Sequence, residues 1–262
     1  MSLLAEERKN FIMEQLDALG KVRVTVLSEQ LQVSQETVRR DLFVLEEEGK
    51  LRRVYGGGVK VQYEHGEPPY QQRQVMNLEA KQAISHRAVE LIQDGNTIYM
   101  DTGTTIHELA RAIKGKHRIT VITNSLAVAV QLRDSIVQGL FSGRIILLGG
   151  EISPEQQSIN GHLCQEMLKS FYVDRAFISV GGMTIESGIS DYDINDSIIS
   201  KLVIASAKEV IVLLDHSKVG IQAFCHIAPL DAIDVVICDK QYPVLWQQEL
   251  ERQGIAWITV NG

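Results

Sequence analysis

The sequence has 262 residues, 45% hydrophobic and 23% charged, which excludes a mainly disordered or collagen-like chain and points to a little under two domains at about 150 residues each. No apolar run reaches the roughly 18 residues of a membrane span. The opening Met1 to Lys9 turns polar too soon for a secretory leader, and Cys164, Cys225 and Cys238 show no CxxC spacing; the expectation is a reducing cytoplasm, without disulfide framework, zinc finger or membrane partner. The net charge of −7 is unevenly placed: of 26 Lys+Arg and 33 Asp+Glu, residues 1–60 hold 10 of each, leaving 16 and 23 to the rest. A neutral head precedes an acidic body, so any contact with DNA falls to the head.

The head reads as three helices and a hairpin. Ile12, Leu16 and Leu19, with Phe11 beside them, give residues 3–19 one apolar stripe that Gly20 ends. Thr25 stands where a cap of a second helix is expected, ahead of Val26, Leu27 and Leu31. Ser34 is placed to cap a third helix over 34–48, with Val38, Leu42 and Leu45 inward and Gly49 as its stop. Residues 51–55, the turn 56–58 and residues 59–61 form a hairpin.

Residues 62–76 are polar, contain Pro68-Pro69, and read as a linker. Beyond them short apolar runs at 97–100, 119–122, 145–148, 176–180, 210–214, 235–238 and 257–260 alternate with helical stretches at 79–92, 105–114, 125–138, 162–171, 194–207 and 243–253. That alternation predicts an α/β domain over 77–262 with a mainly parallel sheet covered on both faces.

Only Gln32 and Val33 separate the second and third helices, the arrangement of a helix-turn-helix, and with the hairpin the head (1–61) is a winged form. A wheel centred on Val38 turns Glu36, Arg40, Phe43 and Glu47 outward, with Gln35 and Arg39 on the flank. Gln35, Arg39 and Arg40 can reach base edges or phosphates of double-stranded DNA, and Arg52 and Arg53 can lie along a phosphate backbone. The alternative is a helical domain with a solvated charged face, which Glu46-Glu47-Glu48 favours. The arginines cluster at the other end of the helix, which favours DNA. Phe43 is expected to pack on another part of the head.

The run Ser34-Gln35-Glu36-Thr37-Val38-Arg39-Arg40-Asp41-Leu42, followed by Tyr55-Gly56-Gly57, resembles the DeoR-type bacterial regulators, whose signature is a Ser-x-x-Thr-Ile/Val-Arg-Arg-Asp-Leu helix and a wing ending Gly-Gly. The likeness continues at Pro69-Tyr70-x-x-Arg73 and Glu79-x-Lys81 and extends over nearly the whole chain. It implies an operator-binding surface that includes Ser34, Gln35, Thr37, Arg39, Arg40, Arg52 and Arg53.

In the body, Asp101-Thr102-Gly103-Thr104-Thr105 follows a predicted strand and opens a helix. Backbone amides of a first helical turn and threonine hydroxyls suit a phosphate, although an ordinary strand-to-helix turn with threonine caps has the same composition. Thr123-Asn124-Ser125, Gly149-Gly150-Glu151, Gly181-Gly182 and Asp215-His216-Ser217-Lys218 close further strands, at the edge where parallel sheets bind ligands. Lys218 is either a cation for a phosphate or hydroxyl, or a solvated loop lysine. Resemblance to the DeoR sensor domain, itself similar in fold to ribose-5-phosphate isomerase, implies that the Asp-x-Gly-Ser/Thr-Thr loop holds a phosphate and that the effector is a phosphorylated sugar or related metabolite. It implies a site over Asp101, Thr102, Gly103, Thr104, Thr105, Asn124, Gly150, Gly181, Asp196 and Lys218. The family's Glu-Ala-x-x-Lys stretch falls here on Asp196 and Ser200, a shorter acid and a missing lysine. Asp191 and Asp193 are further pocket acids or simple loop residues.

No Ser-His-Asp order or metal-ligand cluster is present; His107, His162, His216 and His226 are dispersed, and Cys164 and Met167 read as core. The expected function is a ligand-controlled repressor of a carbohydrate catabolic operon, a homo-oligomer (dimer or tetramer) needing no cofactor. The alternative is a sugar-phosphate isomerase or deaminase with an attached interaction module.

Overall fold

The computed structural model describes residues 5–19, 21–47, 50–59 and 67–260, apart from the side chains of residues 17–19, 21 and 52. The chain divides into two units, 1–64 and 65–262.

The head contains α1 (Ala5–Leu19), β1 (Lys21–Arg23), α2 (Val24–Leu31), α3 (Gln35–Glu47), β2 (Arg52–Val54) and β3 (Gly57–Val59). Ile12 and Leu16 from α1, Leu27 and Leu31 from α2, and Val38, Leu42 and Leu45 from α3 form one buried cluster with Leu51. The three strands form an antiparallel sheet in the order β1-β3-β2. A side chain at Gly57 would lie 1.9 Å from the Val22 carbonyl oxygen, so glycine is what lets the wing close on β1. β1 has no counterpart in the sequence reading, because three residues are too few to show a period. The cap position of α2 belongs to Arg23, which makes no side-chain cap; Thr25 lies inside the first turn. Strand pairing fixes that helix start where a hydroxyl cap was expected.

Between α1 and α3 the Arg8 guanidinium donates to both carboxylate oxygens of the buried Asp41, from Nε at 2.8 Å and from a terminal nitrogen at 3.0 Å. A planar fork facing a carboxylate is the stronger form of ion pair.

The body runs α4 (Tyr70–Val75), α5 (Leu78–Glu90), β4 (Thr97–Met100), α6 (Thr104–Ala112), β5 (Ile119–Thr123), α7 (Leu126–Val137), β6 (Gly143–Leu147), β7 (Glu151–Ser153), β8 (Ser158–Asn160), α8 (His162–Leu168), β9 (Val173–Ser179), β10 (Gly182–Thr184), β11 (Gly188–Asp191), α9 (Ile194–Ser206), β12 (Ala207–Leu213), β13 (Cys225–Ala228), β14 (Val235–Cys238), α10 (Gln247–Gln253) and β15 (Ala256–Thr259). Seven strands form one sheet in the order β15-β14-β12-β9-β4-β5-β6, every pair parallel. All seven predicted runs are in it. Ile98 and Met100 turn to the face covered by α5, α6 and α7, and Tyr99 to the face covered by α8, α9 and α10. The short strands β7 and β8 form a hairpin, and β10, β11 and β13 a small antiparallel sheet. Neither was predicted, since their glycines and serines carry no apolar run.

The expected linker is a different object over the residues described. Residues 62–66 lie outside the described residues, but 70–75 form a helix that buries Tyr70. Among the described residues no helix is long and apolar enough to cross a membrane.

Removing the carboxylate partner of Arg8 is expected to destabilise the head. Asp41→Ala should cost about 2–3 kcal/mol, less than the roughly 3–5 of a fully buried pair, because the Arg8 side chain keeps 13% exposure. Urea unfolding followed by helical circular dichroism measures it, and an unchanged midpoint would mean that the pair does not hold α1 on α3.

Candidate functional site

On the head, the loop before α3 turns through Gln32 in the left-handed region (φ 53°), and Ser28 Oγ donates to the Val33 carbonyl at 2.7 Å. Ser34 Oγ accepts the Thr37 amide at 3.1 Å and lies 2.9 Å from Thr37 Oγ1. Both hydroxyls, expected at the DNA, thus close the amino end of α3 as a cap. Gln35, Arg39 and Arg40 are exposed. Arg39 donates to Glu36 at 3.3 Å and to Gln35 at 3.4 Å, while Arg40 has no ion pair among the described residues.

Arg53 differs from expectation. Its Nε donates to Glu46 at 2.5 Å, its amide donates to the same carboxylate at 2.8 Å, and its guanidinium lies 5.0 Å above the Phe43 ring. It joins the wing to α3 instead of reaching outward, which accounts both for the outward Phe43 and for one acid of the Glu46–Glu48 run. The Arg52 side chain lies outside the described residues.

In the body the strand order reverses between β4 and β9. From β4 the chain passes to β5 and β6 on one side; from β9 it passes to β12, β14 and β15 on the other. Loops at such a point diverge and leave a crevice. The Asp101 amide donates to the Phe177 carbonyl at 3.1 Å, and Gly103 (φ 104°) crosses so close to β9 that a Cβ there would lie 2.8 Å from Ser179 Oγ. Gly103 precedes α6, whose amino end has no side-chain cap; Thr104 and Thr105 are buried in its first turn. Those amides present the positive end of a helix dipole.

Asp101 and Asp196 are buried and each has an unpartnered Oδ1. Asp101 Oδ2 accepts from Ser200 Oγ at 3.1 Å, and Asp196 Oδ2 from Ser158 Oγ at 3.3 Å. Burial raises Asp101 well above the ordinary carboxylate range, with Asp196 and Asp191 adding to it. Burial and then Asp193 push Asp196 up to about 7. Burial and the Glu67 carboxylate push Asp191 up to about 7, against the Tyr192 amide, Lys218 and Arg73.

The cations stand on α4, α5 and the turn after β12. Lys218 Nζ lies 3.6 Å from Glu67 and 5.8 Å above the Tyr192 ring, and that ring would clash with any side chain at Gly181. Arg73 donates to Glu67 at 2.9 Å and to Gln156 at 2.5 Å, and its Nε is unpartnered. The Lys81 ammonium donates to the Arg73 carbonyl. Burial lowers Lys81 to about 8; Asp215 and Glu108 oppose that, while Arg73 and Lys218 add to it. One turn along α5, Ser85 Oγ donates to the Thr105 carbonyl at 3.2 Å, which sets Lys81 beside the start of α6.

Two residues of the expected site do other work. Asn124 Oδ1 accepts from the Tyr99 hydroxyl at 2.6 Å and its Nδ2 donates to the Ile159 carbonyl at 3.0 Å, so its fully buried amide ties β4, β5 and β8 together. A Cβ on Gly150 would meet the Asn160 carbonyl at 2.3 Å; Gly150 serves close packing on β8. Glu67, Arg73, Lys81 and Tyr192 were missing from the expected site. Arg73 and Lys81 stood in the resemblance motifs, and nothing in the sequence marks Glu67. His216, expected as a surface or helix residue, pairs with Asp239 at 2.6 Å. Among the described residues no group of three or more His, Cys, Asp or Glu is disposed to hold a metal.

Residues 8–62 match the DeoR-like helix-turn-helix domain, and residues 76–240 match the DeoR C terminal sensor domain. The chain belongs to the DeoR family. It is 33% identical over 95% of its length to the HTH-type transcriptional regulator GolR of Listeria innocua, covering 96% of that protein. It is 34% identical over 98% of its length to the HTH-type transcriptional repressor GlcR of Bacillus subtilis, again covering 96%. Among solved structures, ribose 5-phosphate isomerase A of Methanocaldococcus jannaschii aligns with 55% of each chain at 18% identity and a TM-score of 0.39. Within the DeoR family these relatives are named regulators and repressors, not enzymes, and the chain is a transcriptional regulator.

Asp196 gives this DeoR sensor domain a testable pH signature. Its pKa of about 7 lies above the ordinary 3.8, so between those values the folded state keeps a proton that the unfolded state releases. Stability therefore falls as pH rises through that window and stays low above it. Asp196→Asn carries no such cost. It should approach the parent only as pH falls below the ordinary 3.8 and exceed it at pH 8, by up to about 4 kcal/mol, in denaturant unfolding at about pH 3.5 and pH 8; an equal difference at both would reject the assignment.

Proposed function

We propose that the chain represses a sugar or carbohydrate catabolic operon, that α3 enters the major groove of operator DNA, and that a phosphorylated sugar bound in the body releases it. Membership of the DeoR family in both parts of the chain carries the reading, and the naming of GlcR as a repressor supports repression. Arg39 and Arg40 read base edges or phosphates, with Gln35 beside them; the Ser34–Thr37 cap sets the amino end of α3 toward a phosphate. In the body the amino end of α6, with Gly103, Thr104, Thr105 and Lys81, takes the phosphate. Asp101, Asp196 and Lys218 hold the sugar hydroxyls, the carboxylates as acceptors and the ammonium as donor. The protein works in the cytoplasm, at the nucleoid when on its operator, as a dimer or tetramer whose heads match paired half-sites. An effector releases DNA only by binding one arrangement of the oligomer more tightly than the other.

Fluorescence anisotropy of the DNA upstream of its own gene, with and without a panel of sugar phosphates, tests this. Salt-dependent, competitor-resistant binding weakened by one compound is the expected result; binding that no compound alters would overturn the sensor assignment. Arg40→Ala should weaken operator binding by about 1–3 kcal/mol. Lys218→Ala should retain operator binding and lose the effector response, and a normal response would remove Lys218 from the site.

A further inference from the structure

The charges around the body's site are segregated. At one end stand Lys81 and the amino end of α6, with Arg73 and Lys218 near Lys81. At the other, Asp101 directly follows the strand β4 and Asp196 lies in the first turn of α9. The two carboxyl groups are linked through α9. Ser200 Oγ reaches Asp101 at 3.1 Å, and Asp196 precedes Ser200 by one helical turn on the same face of α9. Each acid is more than nine-tenths buried and each keeps one oxygen without a donor.

The charges weighing most on either acid are other carboxylates: Asp196 and Asp191 on Asp101, Asp193 and Asp191 on Asp196. Lys218 lies 3.6 Å from Glu67 and over Tyr192, and the acid its charge bears on is Asp191. Burying a carboxylate without a cation is unfavourable, and a bound cation relieves both groups at once. The acids are not arranged as a metal cage among the described residues. A single ammonium, with three donors, can serve both unpartnered oxygens. Asp101 also lies only three residues before Thr104, within about 11 Å along an extended chain, so one hexose-sized molecule spans both charged ends.

We propose that the effector is a phosphorylated sugar bearing a free ammonium group, the ammonium held by Asp101 and Asp196 and the phosphate at the amino end of α6 beside Lys81. This rests on the sugar-phosphate reading of the same site. Selectivity comes from the acids: a hydroxyl in place of the ammonium leaves two buried carboxyl groups uncompensated, a mismatch that binding sites reject strongly.

Isothermal titration calorimetry on the full chain tests it with glucosamine 6-phosphate and galactosamine 6-phosphate, the matching glucose and galactose 6-phosphates, N-acetylglucosamine 6-phosphate, and ribose 5-phosphate. One of the two free amines should bind at least about tenfold more tightly than its hydroxyl counterpart and than the N-acetyl compound, whose nitrogen carries no charge. Asp196→Asn should erase most of that preference. Ser200→Lys, which sets an ammonium against Asp101, should reverse it in favour of the neutral sugar. Circular dichroism of both variants checks folding, and the comparison in the parent chain stands without them. Equal or tighter binding of a neutral sugar phosphate in the parent overturns the ammonium assignment and leaves the sensor reading in place. Binding of no phosphorylated sugar overturns both.

Discussion

The sheet must reverse its winding between β4 and β9, and the chemistry of the body follows from that constraint. Chain leaving β4 turns toward β5 while chain leaving β9 turns toward β12. The loop after β4 therefore passes over Ser179, and only a glycine at 103 fits. Asp101 is held by its amide on Phe177 with its carboxyl under α9. Beyond Met100 on β4 the buried residues turn polar: Asp101, Thr104 and Thr105, with Asp196 from α9. Their burial is unfavourable in itself, and the continuous apolar clusters on both faces of the sheet sustain it.

The head obeys a different electrostatic economy. Its ten basic and ten acidic residues cancel, and several cancel in direct pairs: Arg8 with Asp41, Arg39 with Glu36, Arg53 with Glu46. The first pair holds two helices together and the third holds the wing to α3. Among the described residues of the head, Arg23 and Arg40 are exposed and carry no ion pair. Under the reading proposed for α3, operator affinity depends on geometry at its amino end more than on a broad basic field, which is how an acidic protein addresses a polyanion.

What the sequence made legible followed from periodicity and repetition of residue type. The seven sheet strands are β-branched runs long enough to show, and α3 shows an unbroken stripe of Val38, Leu42 and Leu45. The Asp101–Thr105 loop was visible as a cluster of small and hydroxyl residues between a strand and a helix. The hidden parts depend on distant partners. Asn124 looked like a ligand contact, yet Tyr99 and Ile159 occupy its amide. Arg53 looked like a phosphate contact, and a carboxylate seven residues earlier holds it. Glu67 and Lys218 meet across about 150 positions of chain, and no local pattern records such a meeting. The substitution at Ser200 was visible as a departure; its meaning needed the contact with Asp101.

Burial moves the two ends of the body's site in opposite directions. It brings Lys81 down to about 8 and Asp196 up to about 7, so each group is held closer to neutrality than it would be in water. A ligand with one anionic and one cationic end restores both. Its phosphate favours the charged form of Lys81, which takes up a proton, and its ammonium favours the charged form of Asp196, which gives one off. Between pH 7 and 8 these two exchanges run in opposite directions, and Asp101, raised by burial in the same sense as Asp196, adds to the protons given off. A sugar phosphate without the ammonium engages only the first exchange and draws protons from the buffer. By linkage affinity for either ligand falls as pH rises past Lys81, while the ionisation of Asp196 around pH 7 raises affinity for the zwitterion on the approach to that point. The segregation of charge across one crevice therefore sets the pH range over which the ligand binds as well as which ligand is preferred.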